Sequence, residues 1–442
     1  MLILIHSETN RNTIQQNLGK SEYSYYFVLK EFRPVLERLG RVVEIDDPDA
    51  VVDVLYDDCQ RRGEDCVFLS FSPPHRTPIH YRCPTIPVFA WEFSTIPDEV
   101  WQGEPRNDWR LVFEKLGAAI THSSFTVDTV RASMGSEYPI VSVPAPVWNR
   151  FAAQGRKLER NPRASAVEIQ IEGLLLDSET VDVMAYGPPA YRSGTPVDLK
   201  APATRQTLRL DGVIYTSVFN PCDGRKNWID MIAAFCWSFR DTPDATLVLK
   251  LTHFEASDVL NNMLHHLYKH HPHRCRVVLI HGYLADADYE RLVQATSYAV
   301  NTGYGEGQCL PLMEFMSCGK PAIAPAHTAM LDYLDAQNGF VVDCSEELTA
   351  WPHDPRAAYR ALRYIPSWDS LVEAFRESYR VANQDPRRYA RMSEQATASL
   401  QNFCSQEQAE HRLEAFIQRR LAMHRSCQQV RTATVDSPCS AV

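Results

Sequence analysis

The chain has 442 residues, of which 45% are hydrophobic, and a formal net charge of −10. This length suits two domains better than one, and the negative charge argues against a nucleic-acid partner, which would favour a basic surface. No stretch approaches the roughly 18 consecutive apolar residues of a membrane span, and MLILIH predicts a buried strand rather than a signal peptide. We expect a cytoplasmic protein, with peripheral contact at the inner membrane face left open.

The twelve cysteines are scattered along the chain without a C-x-x-C pair. Their wide spacings fit neither a zinc site nor a disulfide scaffold. His266 and His270 lie one helical turn apart in HHLYKHHPH, but no H-E-x-x-H pattern accompanies them, and such matches have a high false-positive risk. We therefore predict neither a metal nor a cofactor.

Residues 1–150 alternate short apolar runs with helical patterns. Strands that alternate with helices indicate a parallel sheet covered on both faces. This pattern predicts a first Rossmann-like domain. Residues 151–210 change character, because a polar, basic stretch precedes AVEIQIEG, which alternates with period two. That segment predicts a linker with an inserted or edge β-hairpin.

A second alternating series, over residues 211–395, predicts a second doubly wound domain. Residues 396–424 are helical, and we expect them to pack back on the first domain. Residues 425–442 are polar without periodicity, which predicts disorder. Two such sheets in tandem predict a cleft between the domains, because ligands bind outside the carboxyl ends of parallel strands.

The most informative stretch is TGYGEGQCLPLMEFMSCGKPAIAPA, which begins at Thr302. Glu306 and Glu314 are separated by seven residues, around a Gly-rich turn that opens a helix. Pro311 suits the first helical turn, where a missing N–H has no cost. The amides of about 308–310 are therefore predicted to be free at a helix N-terminus, an anion site suited to a diphosphate.

Glu314 has apolar neighbours on nearly every side, so its helix is predicted to be buried. A buried carboxylate costs several kcal/mol unless a partner satisfies it. Two partners are open at this point, namely the adjacent hydroxyls of a ribose and an internal salt bridge.

The stretch EGQCLPLMEFMSCGKPAIA resembles the E-x7-E signature of the retaining GT-B glycosyltransferases of family 4 (glycosyltransferase group 1), usually seen as EGFGLPxxEAMAxGxPVIA. Gln308 and Cys309 replace the usual Phe and Gly. The resemblance covers most of residues 211–402 well and the N-terminal half only in architecture. It implies a GT-B fold: two doubly wound Rossmann-like α/β domains that face each other across a cleft.

The resemblance also implies the activity. A hexose-type sugar would move from a nucleotide diphosphate sugar to a glycan or lipid-linked glycan in surface polysaccharide biosynthesis, with retention of configuration and without a metal. Glu306 would hold sugar hydroxyls and Glu314 the nucleotide ribose. The expected donor-binding positions are Glu306, Gly307, Gln308, Cys309, Leu310, Glu314, Arg225 and Lys226.

SVFNPCDGRKN follows the first strand of the second domain and places Arg225 and Lys226 just before a helix. A leaving nucleoside diphosphate gains negative charge, so fixed cations here would stabilise the transition state more than the ground state. With Glu306, these two residues are the predicted catalytic set. The alternative is a solvated basic turn.

The first domain gives weaker signals. Relatives have a glycine-containing loop near the first strand, where this chain offers Gly19 with the polar Lys20 and Ser21. Many relatives carry a His at the end of the fourth strand, where this chain has Trp91 and Glu92. Gly19, Lys20 and Glu92 are therefore acceptor-side candidates by this resemblance. His122 ends the next strand and is an acceptor-side candidate, although a histidine at a strand end is more often structural.

Other functions remain open from the sequence. A nucleotide-sugar epimerase on the same fold would bind the donor alike but need no acceptor, and a non-catalytic nucleotide-sugar-binding protein would keep the fold without the charged pocket. No P-loop, G-x-S-x-G or G-x-G-x-x-G pattern is present. We also interpret the sequence as lacking a D-x-D carboxylate pair at a strand end near the cleft.

Overall fold

The structure is a computed structural model that describes residues 1–435 apart from Asn12, Ser21, 157–160 and 201–202. Over this described part, no helix combines the length and apolar character that crossing a membrane requires. Two doubly wound α/β units dominate the architecture, which confirms the predicted fold class.

The first sheet is wholly parallel. Its strands are β1 Leu2–His6, β2 Arg41–Glu44, β3 Cys66–Phe71, β4 Thr85–Phe89, β5 Ala119–Thr121 and β6 Ile140–Ser142. The helices of this half are α1 Ile14–Asn17, α2 Ser24–Leu39, α3 Pro48–Arg61, α4 Trp109–Leu116, α5 Ser124–Met134 and α6 Trp148–Gly155. Both β3 and β4 are buried along their whole length, as expected for strands covered on both faces. The strand order β2-β1-β3-β4-β5-β6 reverses between β1 and β3.

The second sheet contains a parallel core and an antiparallel extension. Its strands are β7 Ala164–Asp177, β8 Thr204–Phe219, β9 Ala245–Leu251, β10 Arg276–Tyr283, β11 Tyr298–Val300, β12 Ala322–Pro325 and β13 Gly339–Val342. The helices around it are α7 Trp228–Ser238, α8 Ser257–His270, α9 Asp286–Ala295, α10 Leu310–Ser317, α11 Trp368–Gln384 and α12 Pro386–Cys404. The parallel core has the order β10-β9-β8-β11-β12-β13. Its order reverses between β8 and β11, the point at which ligands bind in such sheets.

The antiparallel extension is formed by β7 and the first half of β8. Ile169 and Ile171 of β7 pack with Leu208 and Leu210 of β8 in one hydrophobic cluster. β8 then continues without a break and pairs in parallel with β9. The predicted boundary between residues 210 and 211 therefore falls inside a single strand, since the hairpin and the Rossmann-like core share β8.

A further hairpin, which we call the arm, is inserted between β13 and α11. It consists of β14 Cys344–Ala350 and β15 Tyr359–Pro366. Trp351 donates its indole N–H to Thr95 of the first domain at 3.0 Å and stacks on Trp101. Two arginines of the arm pair with Glu99. The arm therefore joins the second domain to the loop that follows β4.

The last helix, α13 Gln406–Val435, lies on the first domain. Leu413, Ile417 and Leu421 are buried in the same hydrophobic cluster as α2. The helix continues over 425–435, within the range 425–442 for which the sequence predicts disorder. Residues 436–442 lie outside the described residues.

Candidate functional site

A cleft of about 620 Å³ separates the two halves of the molecule. On the first domain it is lined by the loop after β1, the start of α2 and the segment after β4. On the second it is lined by the turn after β8, the segment after β11 and the N-terminus of α10. The last three meet where the order of the parallel strands reverses, which is the expected ligand position.

The turn after β8 presents two cations to this cleft. Residues Gly224–Lys226 form one 3₁₀ turn, and Asp223 caps it by accepting a hydrogen bond from the Arg225 amide at 3.1 Å. The side chains of Arg225 and Lys226 are only 31% and 18% exposed, and both are ion-paired. The turn therefore differs from the solvated basic loop that the sequence left open.

Lys226 and Glu306 form a closed ion pair. The ammonium Nζ lies 2.8 Å from each carboxylate oxygen of Glu306. Burial disfavours the charge of Lys226, but the neighbouring Glu306 carboxylate raises its pKa above the ordinary value. Asn301 donates a further hydrogen bond to Glu306 at 2.8 Å. The Glu306 carboxylate and the Lys226 ammonium thus hold each other in place.

Arg225 is held by two carboxylates. Asp223 accepts from Nε at 3.1 Å and from Nη2 at 2.7 Å, a bidentate arrangement. Glu92 of the first domain accepts from Nη1. Glu92 is an acceptor-side candidate from sequence, and the structure pairs it instead with the predicted donor turn.

The residues around Glu306 pack closely against the first domain. A Cβ on Gly307 would lie 2.8 Å from the Cβ of Ala90, so only glycine fits this approach. Gln308 accepts a hydrogen bond from the Ala145 amide at 2.8 Å. Its side chain therefore joins the two domains at a position where the signature usually has Phe. Cys309 and Leu310 follow at the start of α10 and line the cleft.

Glu314 projects from α10, whose apolar residues are buried as predicted. Its carboxylate accepts a hydrogen bond from the Tyr289 hydroxyl. Burial raises the pKa of Glu314 to about 7. Within the described residues no cation lies within ion-pair distance of it; the nearby Arg150 pairs with Glu31 at 3.7 Å. Among the described residues the Tyr289 hydroxyl, and not a cation, is therefore the partner of this carboxylate.

The loop after β1 reaches the second domain. Gly19 has φ +81°, and its carbonyl accepts a hydrogen bond from Asn220 at 2.8 Å. The ammonium of Lys20 lies 5.3 Å from the ring centroid of Phe254. Both candidates line the cleft, whereas Ser21 lies outside the described residues.

His122 does not line the cleft. Its side chain is enclosed in the core of the first domain, where Nδ1 lies 2.9 Å from the Val143 carbonyl and the ring packs on Phe32. Burial lowers the pKa of His122 to about 4. The cleft-facing interpretation is therefore replaced by a structural role, because the strand end turns this ring inward.

Three cleft residues were missed from sequence. Lys250, in the otherwise apolar β9, donates to the Leu251 carbonyl at 2.9 Å, and burial lowers its pKa to about 8. Glu22 pairs with Arg76 at 3.1 Å, and burial raises its pKa to about 7. The Tyr23 hydroxyl lies 3.1 Å from a hydroxyl of the second domain. Of these three residues, only Lys250 could have been noticed in the sequence, because a lysine is unusual in a strand that is otherwise apolar.

Asp286 and Asp288 correct the expectation that no D-x-D pair follows a strand near the cleft. They follow β10, and Asp286 lines the cleft. Their carboxylates have separate partners, however: Asp286 lies 3.6 Å from Arg150, and Asp288 lies 2.9 Å from Arg291. They do not converge on a shared position for a metal.

The described residues contain one group that could hold a metal ion, formed by Cys236, His273 and Cys275. The three ligand atoms lie within 4.8 Å of one another. Cys236 is near the end of α7, and Cys275 directly precedes β10, so the group lies at the amino ends of the strands, away from the cleft. A closed structural zinc site uses four protein ligands, and this group has no part in the function proposed below.

Residues 259–352 match a family model described as "Glycosyl transferases group 1". The matched segment contains both Glu306 and Glu314, while Arg225 and Lys226 lie before it. No curated protein sequence matches the chain.

Several solved structures share the architecture across the whole chain. HepE from Anabaena, in complex with UDP and glucose, is 12% identical with a TM-score of 0.51, and the alignment covers 95% of this chain and 99% of that one. The fold is GT-B. Sucrose-phosphate synthase from Thermosynechococcus elongatus is 13% identical to this chain with a TM-score of 0.51. The alignment covers 98% of this chain and 100% of the synthase.

Two further solved structures resemble this chain. A glycosyltransferase from Rickettsia africae ESF-5 is 11% identical with a TM-score of 0.52, covering 94% of this chain and 97% of that one. Against TarM from S. aureus the chain spans only 55% of that protein's length, with 79% of this chain covered, 12% identity and a TM-score of 0.47. At these identities the structural likeness concerns the GT-B fold.

Proposed function

We propose that this protein is a retaining glycosyltransferase that moves a hexose-type sugar from a nucleotide diphosphate sugar to a glycan or lipid-linked glycan. The observation that carries the proposal is the fixed cation pair of Arg225 and Lys226, which faces the cleft where the second sheet reverses its strand order. Cations held in a partly buried site suit a ligand whose negative charge grows during the reaction.

The donor would lie on the second domain. Its diphosphate would contact Arg225, Lys226 and the amides at the start of α10, whose helix dipole favours anions. The ribose hydroxyls would bind Glu314, in place of the Tyr289 hydroxyl or together with it. Glu306, fixed by its own ion pair, would accept hydrogen bonds from the sugar. Since the HepE structure contains UDP and glucose, UDP is the first nucleotide to test.

The chemistry would need little from the protein beyond charge and position. As the bond between the anomeric carbon and the diphosphate oxygen breaks, negative charge grows on the diphosphate next to Arg225 and Lys226. In a retaining reaction the acceptor hydroxyl approaches from the same face, and the leaving phosphate oxygen takes its proton. No protein base is then required, and the two cations do the work that a divalent metal does elsewhere.

The acceptor and the cellular setting rest on the sequence resemblance alone. We propose a glycan or lipid-linked glycan of surface polysaccharide biosynthesis, used by a cytoplasmic enzyme with peripheral contact to the inner membrane face. The cleft wall of the first domain, with Gly19, Lys20 and Glu92, would bind this acceptor.

A binding panel tests the proposal. UDP, GDP, ADP and TDP would be titrated while the melting temperature is measured, because a ligand at a hundred times its Kd adds about 2.7 kcal/mol to the free energy of unfolding. We expect one of them to raise the melting temperature of the wild type and to act less on Lys226→Ala. Loss of donor sugar with no acceptor present and formation of an isomeric nucleotide sugar would instead indicate an epimerase. No stabilisation by any of the four would contradict the proposed function.

A further inference from the structure

The charges around the proposed diphosphate position do not balance. Arg225 and Lys226 face three carboxylates, those of Asp223, Glu92 and Glu306. When all five groups are ionised, the cluster has an excess of one negative charge. A nucleoside diphosphate adds further negative charge to this partly buried position, and like charges placed together there are costly. This repulsion is relieved when one carboxylate leaves the cations and takes up a proton.

Two of the three carboxylates are built into the second domain. Asp223 caps the turn through the Arg225 amide at 3.1 Å as well as holding the guanidinium. Glu306 is 4% exposed and accepts from Asn301 at 2.8 Å in addition to Lys226. Moving either carboxylate would break local hydrogen bonds, so each is expected to stay in place when a ligand enters.

Glu92 is held differently. It belongs to the first domain, and within the described part of the chain its carboxylate accepts a hydrogen bond from Arg225 alone. Its backbone oxygen lies 3.1 Å from the position that a Cβ on Gly305 would take, and its Oε2 lies 3.3 Å from that of Gly307. Glu92 therefore contacts the donor side of the cleft while being anchored on the acceptor side.

We propose that Glu92 occupies the place of the donor diphosphate on Arg225 in the ligand-free protein and gives up the guanidinium when the diphosphate binds. Glu92 then lowers the affinity for donor and product alike, because every nucleoside diphosphate must displace it. Since it is anchored on the first domain, its release leaves a carboxyl group facing the acceptor position. This inference rests on the proposed function and adds a group that the family signature does not contain.

The ionisation of Glu92 supports the same exchange. Burial raises its pKa above the ordinary value, although Arg225 opposes the shift. The surrounding titratable and charged groups come from both domains and are Arg225, Asp223, Lys226, Glu306 and Tyr25. When a diphosphate takes over Arg225, Glu92 loses its counter-charge and its pKa rises further. Binding is therefore expected to take up a proton, and affinity should fall as pH rises through the pKa of Glu92.

Calorimetric titration with UDP, or with whichever nucleoside diphosphate the panel selects, tests this inference. We expect Glu92→Gln to bind UDP about tenfold more tightly than the wild type, equivalent to about 1.4 kcal/mol. Titration in buffers of different ionisation enthalpy should show proton uptake by the wild type and less by the variant. The difference between the two proteins matters, because the nucleotide's own phosphate also titrates near pH 6.

Glu99→Gln is the matched control, since it removes an equal charge from another interdomain ion pair, with the arm rather than the cleft. We expect wild-type affinity from it. If Glu92→Gln folds poorly, Glu92→Ala replaces it in both titrations, because it removes the same charge. Unchanged or weaker UDP binding by a folded Glu92 variant, or equal proton uptake by the wild type and that variant, would overturn it. Absence of nucleotide binding by the wild type would instead contradict the proposed function.

Discussion

The two walls of the cleft hold their charges in different ways. On the second domain Lys226 and Glu306 satisfy each other, and Asp223 holds Arg225 within the same turn. On the first domain Glu92 depends on a partner across the cleft. Lys226 thus keeps its partner within its own domain, while Glu92 changes its surroundings whenever the domains separate or a ligand enters. Changes on the second domain should therefore act on the donor directly.

Lys226→Ala should have the largest effect on sugar transfer of any single substitution in the cleft. It removes a cation that would stabilise the charge growing on the leaving diphosphate, so we expect the barrier to rise by about 2–4 kcal/mol. Steady-state rates with the donor selected by the binding panel measure this. The control is Lys269→Ala, which removes an exposed lysine from α8 of the same domain. A near wild-type rate for Lys226→Ala would show that this lysine, on the second-domain side of the cleft, does not act on the diphosphate.

Glu314→Gln should weaken donor binding while leaving the catalytic rate nearly unchanged. A ribose contact is present equally in the ground and transition states, so its loss alters affinity rather than kcat. Hydrogen bonds to a charged group contribute about 1.5–3 kcal/mol, which corresponds to a loss of at least tenfold in affinity. Nucleotide titration measures this loss, with Glu290→Gln of the adjacent α9 as control. Wild-type affinity in Glu314→Gln would make this carboxylate a structural residue.

The same carboxylate should produce a pH dependence of stability. Burial raises the pKa of Glu314 from 4.5 to about 7, so the folded state binds a proton that the unfolded state has released. Its stabilising contribution is complete below pH 4.5 and is lost as pH rises towards 7. The melting temperature of the wild type relative to Glu314→Gln should therefore fall over this interval. A constant difference between the two proteins would show that Glu314 is solvated in the empty cleft.

The smallest effect is expected from chelation. If Arg225 and Lys226 replace a divalent ion, excess EDTA should leave sugar transfer unchanged. Sugar transfer should also be measured with added magnesium or manganese. Asp286 and Asp288 follow β10 at the cleft with D-x-D spacing, and carboxylates are ligands for these ions. Loss of transfer in EDTA that either ion restores would assign those carboxylates a role and would contradict metal-independent transfer.

The difference between the walls also explains what could be predicted from sequence. Arg225 and Lys226 are adjacent in one turn, and Glu306 and Glu314 lie in one turn and the helix that follows it. Because each pair belongs to one local segment, the sequence spacing predicts the relative positions of its members. The first wall is assembled from segments after β1 and β4 that are about 70 residues apart in the chain. Which side chain there faces the cleft depends on packing between domains. For that reason Glu92 lines the cleft, whereas His122 faces the core.

Parts of the fold were missed for related reasons. β8 passes through the predicted boundary at residues 210 and 211 because one strand of a hairpin and a core strand can be the same continuous strand. The arm at 344–366 was not predicted, although Tyr359–Pro366 could have been tested for period-two alternation. The contact that attaches the arm to the first domain, between Trp351 and Thr95, joins residues 256 positions apart in the chain. A local sequence pattern cannot predict such a contact.

The placement of α13 has a consequence for how the chain is made. Domains usually fold from the N-terminus onwards as synthesis proceeds, at about 5–20 residues per second. Here Leu413, Ile417 and Leu421 complete a hydrophobic cluster that begins with Ile3 and Ile5 of β1. Of the two domains, the one that is synthesised first is thus completed last, and one face of α2 stays exposed until α13 has been made. We expect a chaperone to bind that face on the nascent chain while the second domain closes its own core.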